Sequence, residues 1–150
     1  MGLKMDAAAL NAFLAEDFAQ VAPDFTILEA TEDRLVAGLT VRDAHLRPGG
    51  TVSGPSMFAL ADLAIYCAIL SRIGKVPLAV TTNASIDFLR KPAAGQDMRA
   101  ECRVLKLGRN LAIADTLIYS EGVAEPVARS SMTYAIPPKT MSDSSLSGGK

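Results

Sequence analysis

The chain has no tryptophan, a single histidine and only two cysteines, and aromatic residues make up 5% of it. Each scarcity removes a class of function. Cys67 and Cys102 lack CxxC spacing, and two thiols are too few for a thiolate metal site or a secreted disulfide scaffold. Free thiols in a reducing cytoplasm are expected, and no metal ligand set is read. With His45 the one histidine, any imidazole chemistry has a single candidate. Net charge is also missing: 15 Lys and Arg against 16 Asp and Glu leave −1. That balance gives no global pull towards nucleic acid or an anionic membrane. No basic run with interleaved aromatics marks a nucleic-acid face.

The N-terminal stretch MGLKMDAAALNAFLAEDFAQ carries Asp6, Glu16 and Asp17, which does not fit a basic-then-apolar signal peptide. Asp6 stands where a myristoylation motif would want Ser or Thr. What the chain does have is 150 residues, 49% of them hydrophobic, enough for one domain with a substantial core.

The most informative presence is a lone charge. Between Arg47 and Arg72 the sequence runs PGGTVSGPSMFALADLAIYCAILS, with Asp62 its only charged residue. The segment reads as one buried helix entered through a Gly/Pro turn. A carboxylate there is costly unless something uses or satisfies it. The apolar part, Pro55 to Leu70, is about 16 residues, short of the roughly 20 that cross a bilayer, so a core helix and no membrane partner are expected.

Around this helix, residues 5–20 predict another helix, with Leu10, Phe13, Leu14, Phe18 and Val21 at three- and four-residue spacing and Pro23 as its end. Asp24 to Val41 reads as two short strands split at Ala30-Thr31-Glu32-Asp33, with Leu35, Ala37, Leu39 and Val41 on one face. His45 to Gly54 is a Pro/Gly-rich loop; Pro55 suits the first helical position, and Gly74 stops the helix near Arg72. Four strands follow: Val76–Arg90, Met98–Leu107, Leu111–Ser120 and Val127–Ile136. Short turns join them and favour antiparallel pairing. Strict alternation in the first puts Val80, Thr82, Ala84, Ile86 and Phe88 on one face, and Thr81, Asn83, Ser85 and Asp87 on the other. The order predicts an α+β fold, a long central helix wrapped by a curved antiparallel sheet, in one domain over residues 1–136 with a flexible tail at 137–150. A helix apolar on all sides must be covered on all sides, so a second subunit is expected.

Two parts of this layout suit acyl-group hydrolysis. A glycine at a helix N-terminus, Gly54, can present its N–H to a developing oxyanion, and the carboxylate of Asp62 can act as general base or nucleophile. Eight residues of helix place them about 12 Å apart. If both are catalytic, one chain cannot supply both, and the site must be shared across a symmetric dimer.

These residues carry a resemblance. GTVSGPSMFALAD, then ASIDFLRKPAAG, then LKLGRN resemble the hotdog-fold acyl-CoA thioesterases, in the branch of the phenylacetic-acid-degradation thioesterases. That branch shows an Asn, then G-x-x-H-G-G, six residues and an Asp. The resemblance implies a catalytic role for Asp62 and an oxyanion role for Gly54. Ser53 stands where the family has His, Pro55 where it has the second Gly, and Arg47 where it has Asn. Ser53 and Arg47, with Thr82 and Asn83 on the long strand, are candidates for binding the acyl part. Arg90, Lys91 and Arg109 are candidates for the coenzyme A phosphates. No cofactor is implied beyond coenzyme A carried by the substrate; the assembly implied is a homodimer or a dimer of dimers.

Simpler roles compete with each assignment. Asp62 can be a structural carboxylate, Gly54-Pro55 plain helix-entry chemistry, Ser53 an N-cap, and the cations solvated surface charges. Two other functions remain open: an acyl-CoA-binding protein that does not cleave, and an enoyl-thioester hydratase, which would need His45 as its acid or base.

Overall fold

The computed structural model describes residues 2–138; the remainder of the expected tail, residues 139–150, lies outside the described residues. The chain order is helix α1 (Ala7–Asp17), strands β1 (Phe25–Ala30) and β2 (Leu35–Leu39), helix α2 (Gly54–Ile73), then strands β3 (Val80–Phe88), β4 (Met98–Leu107), β5 (Leu111–Ser120) and β6 (Ala128–Ala135). The six strands form one sheet in the order β1-β2-β4-β5-β6-β3, and every neighbouring pair is antiparallel. The expected α+β layout is present, with α2 lying on one face of the sheet.

Helix α1 is shorter than its periodicity predicts. Asp6 caps its start, with Oδ1 accepting the Ala9 N–H at 2.9 Å, and Phe18 already leaves helical geometry at φ −131°. Pro23 falls inside a separate 3₁₀ turn, Ala22–Asp24, and Val21 is exposed rather than part of the buried stripe. The side-chain amide of Asn11 locks α1 to β1, donating to Ile27 O at 3.0 Å and accepting from Ile27 N–H at 2.8 Å.

Helix α2 runs for 20 residues, so length alone does not exclude a membrane span; its packing is the relevant fact. Leu60, Ile65, Ile69 and Leu70 are fully buried against the sheet, each a side chain whose burial stabilises by roughly 1.5–3 kcal/mol. The helix ends at Gly74, which has φ +95° and returns its N–H to Leu70 O at 2.8 Å. On β4, Met98, Ala100 and Cys102 face the helix, and on β5 Ala112, Ala114 and Ile118 do the same. Small residues there let the helix approach closely.

The coverage is incomplete on one side. The α2 stripe Pro55, Phe58, Ala59, Asp62 and Leu63 is exposed or half-buried, at the spacing of a single helix face. Next to it β3 ends the sheet with one edge unpaired among the described residues, and residues on both its faces are exposed, Val80 to 55% and Phe88 to 52%.

A candidate active site on the uncovered face

Asp62 lies in the third turn of α2, within the uncovered stripe. Its Oδ1 accepts two hydroxyls, Thr81 Oγ1–H at 2.8 Å and Tyr134 Oη–H at 2.7 Å. Its Oδ2 meets no donor among the described residues and reaches solvent. The carboxylate opens on a depression of about 490 Å³ whose other walls are mostly apolar, among them Phe18, Phe25, Leu63, Tyr66 and Val80. Among the described residues no Lys, Arg or His lines it. A carboxylate with one oxygen saturated and the other open can accept a proton or attack an electrophile there.

Thr81 reaches Asp62 because β3 is irregular. Pairing with β6 slips between Thr81 and Asn83, a bulge that turns Thr81 onto the face of Ala84, Ile86 and Phe88. Strict alternation puts Thr81 on the opposite face, and this is corrected by that one extra residue. The bulge also keeps Thr82 and Asn83 away from Asp62: Thr82 Oγ1 donates to Thr133 O at 3.3 Å, and Asn83 is exposed. Tyr134 comes from β6, 72 residues along the chain. Its ring packs against Tyr66 at 6.0 Å with a tilt of 36°, Tyr66 meets Phe18 edge-on at 5.7 Å, and Tyr66 Oη donates to Pro77 O at 3.1 Å. Burial, and then the hydrogen bond to Asp62, push the Tyr134 phenol well above its ordinary range, so it remains a donor at neutral pH.

Gly54 lies elsewhere, at the start of α2. Ser53 is the N-cap: its Oγ accepts the Ser56 N–H at 3.3 Å and donates to Ser56 Oγ at 2.9 Å. Met57 N–H bonds Ser53 O at 3.1 Å. As the first residue of α2, Gly54 has no intrahelical acceptor, and its N–H is left without one among the described residues, while Pro55 beside it carries no N–H. A Cβ at this position would sit 3.2 Å from Phe88 Cζ, a tight contact that a few tenths of an ångström of movement by the exposed Phe88 ring relieves. Around it a cleft of about 760 Å³ gathers Arg47, Phe88, Arg90 and Lys91. The Arg90 guanidinium is tied to Pro126 O. Arg109 sits in the β4–β5 turn, at the opposite end of the sheet from Arg90 and Lys91, so one chain does not bring the three cations together.

The two halves are therefore apart within one chain. Asp62 and Gly54 are eight residues, about 12 Å, apart along α2, and the residues that touch them, Thr81 and Phe88, stand at opposite ends of β3. His45 belongs to neither half. Its Nδ1 accepts the Arg42 N–H at 2.9 Å and its Nε2 faces Asp24 Oδ2 at 3.2 Å, so both ring nitrogens are engaged. Among the described residues no group of three His, Cys, Asp or Glu side chains could hold a metal ion.

Comparison with known proteins adds to this geometry. A family model described as the Thioesterase superfamily matches residues 49–127, which span both halves. A crystal structure of a candidate thioesterase from Silicibacter sp. superimposes with a TM-score of 0.85 at 53% identity, covering 91% of this chain and 94% of that one. The PaaI protein of the Escherichia coli phenylacetic acid degradation operon superimposes at 0.72 with 26% identity, over 84% of this chain and 88% of its own. A candidate esterase of Pseudomonas aeruginosa is 30% identical over 97 residues, 64% of this chain and 72% of that protein.

Proposed function

The chain belongs to the thioesterase superfamily, with its hotdog fold and thioester-hydrolase chemistry, and from that premise we propose that it hydrolyses an acyl-CoA at a site shared between two subunits. The observation that carries this reading is Asp62: a carboxylate with Oδ1 held by two hydroxyls and Oδ2 open to an apolar depression on an uncovered helix face. In the proposed reaction Asp62 Oδ2 takes a proton from water as the water oxygen bonds to the thioester carbonyl carbon. The carbonyl oxygen becomes an oxyanion that receives the N–H of Gly54 of the partner subunit. The C–S bond then breaks, the sulfur leaves with a proton, and a free acid and coenzyme A result. Direct attack by Asp62 on the carbonyl is the alternative first step, with water hydrolysing the anhydride.

The unpaired β3 edge and the exposed α2 stripe beside it support a dimer formed by pairing β3 with its copy. To bring Asp62 of one subunit to Gly54 of the other, the Thr81 end of β3 must meet the partner's Phe88 end. Residues directly opposite in an antiparallel sheet share a face, so the two-fold axis falls on Ala84 or on Ser85. In that arrangement Arg47, Arg90 and Lys91 would border the partner's Asp62 depression and offer cations to the phosphates of coenzyme A.

Thiol release from a panel of aromatic and aliphatic acyl-CoA esters tests the activity. Asp62→Asn is expected to lower kcat at least a hundredfold on every ester that is cleaved, and unchanged turnover would refute the assignment. The commitment of Ser53 to the helix cap, where the family has a histidine, favours one second reading: the fold binds acyl-CoA without cleaving it. Tight binding with no thiol release across the panel would select that reading. The enoyl-hydration alternative depends on His45, whose two ring nitrogens are already engaged.

A further inference from the structure

We propose that Tyr134 is a positioning residue for the reaction, pinning one oxygen of Asp62 so that the other is the single oxygen able to meet water or substrate. The inference rests on the reading of Asp62 as the reacting carboxylate. Three observations carry it. Tyr134 Oη lies 2.7 Å from Asp62 Oδ1, the shorter of that oxygen's two hydroxyl contacts. It also lies 3.3 Å from the Asp62 carbonyl oxygen, so the phenol is centred on this one residue. The side chain is 3% exposed and is backed by Tyr66, itself anchored to Pro77 O at 3.1 Å, so the hydroxyl has little freedom to turn away.

The geometry divides labour within the carboxyl group. Without the phenol the carboxylate plane could turn about the bond to the carboxyl carbon, and the oxygen facing the depression would lose its fixed direction. With Thr81 and Tyr134 both on Oδ1, rotation costs two hydrogen bonds, and Oδ2 keeps its direction. Among the described residues the depression around Asp62 is lined by Tyr134 from β6, Thr81 and Val80 from β3, Tyr66 and Leu63 from α2, and otherwise by apolar groups such as Phe18, Val21 and Phe25. Among the described residues no other carboxylate lines the depression, and the donors to Oδ1 are both hydroxyls.

Tyr134→Phe keeps the ring packed against Tyr66 and deletes only the hydroxyl. Steady-state kinetics on any ester the wild type cleaves should show kcat lowered about 10- to 100-fold, the range expected for one hydrogen bond to a charged group, with KM within about twofold. Adding Tyr134→Phe to Asp62→Asn should change the residual rate by less than about twofold, because the hydroxyl acts through the carboxylate. Circular dichroism and a melting curve check that the variant is folded. If it is not, Tyr134→3-fluorotyrosine keeps ring and hydroxyl while strengthening the donor, and a change in kcat without a change in KM is again expected. A wild-type kcat in either variant, or a loss of equal size in the Asp62→Asn background, overturns the role of Tyr134 while leaving Asp62 in place. Wild-type activity in Asp62→Asn alone overturns both.

Discussion

If two copies pair through β3, a cysteine placed on the two-fold axis must meet its own counterpart. Ala84 and Ser85 are both exposed and lie midway between Thr81 and Phe88, the residues that touch the two halves of the site. Directly opposite Cα atoms in an antiparallel pair are about 4.5–5.5 Å apart, inside the roughly 4.4–6.8 Å that a disulfide spans. Asp87 lies two or three residues off the axis, so its copy would be displaced by about 13–20 Å along the strands, beyond that reach. Ala84→Cys, Ser85→Cys and Asp87→Cys can be oxidised under mild conditions and run on a non-reducing gel. The native thiols should stay silent, because burial pushes both Cys67 and Cys102 up to about 12. A covalent dimer is expected from one or both of the first two variants and none from Asp87→Cys. Equal cross-linking at all three positions, or none at Ala84 and Ser85, would refute the proposed register.

Three smaller predictions concern the single chain. Asn11→Ala removes both side-chain bonds to the Ile27 backbone and should cost about 1–3 kcal/mol, read as a melting temperature lower by about 3–9 °C. A thiol reagent at pH 8 should label neither cysteine in the folded protein and both, Cys67 and Cys102, after denaturation. Burial, and then the charge of Arg42, hold His45 below its usual range despite Asp24 beside it, because Arg42 also pairs with Asp24. The unfolded chain then takes up a proton first as the pH falls, so stability is greatest above about pH 6.5 and declines below it. Melting curves at pH 7.5 and 5.5 should converge in His45→Gln relative to the wild type.

The sequence made the helices and strands legible where punctuation was strong. The strands β4 and β5 match their expected bounds at both ends, because Gly108-Arg109-Asn110 and the flanking turns leave the chain little choice. The helix α2 was visible as a run with one charge, and its entry at Ser53-Gly54-Pro55 was visible as cap chemistry. Helix α1 was overextended, since apolar spacing continues through Phe18 and Val21 while the backbone has already turned to reach β1. Both hydroxyl partners of Asp62 were missed, for different reasons. Thr81 carries no local signal of a bulge, and one extra residue moves it to the other face of the strand. Tyr134 is linked to Asp62 across 72 residues by pairing of β6 with β3, and a buried tyrosine in a strand announces no partner. Spacing did separate Gly54 from Asp62, because a helix converts residue count directly into distance.

The central claim is that Asp62 and Gly54 act together only across two subunits. Gly54→Pro removes the N–H at a helix position that tolerates proline, after a Ser53 whose ψ of 155° suits a following proline. Gly54→Pro and Asp62→Asn should each be inactive alone. After the two are unfolded together and refolded at equal concentration, half the dimers are mixed and each carries one intact site, so about 25% of wild-type activity should return. Mixed dimers that form, as seen by differently tagged subunits, yet recover no activity would contradict the account.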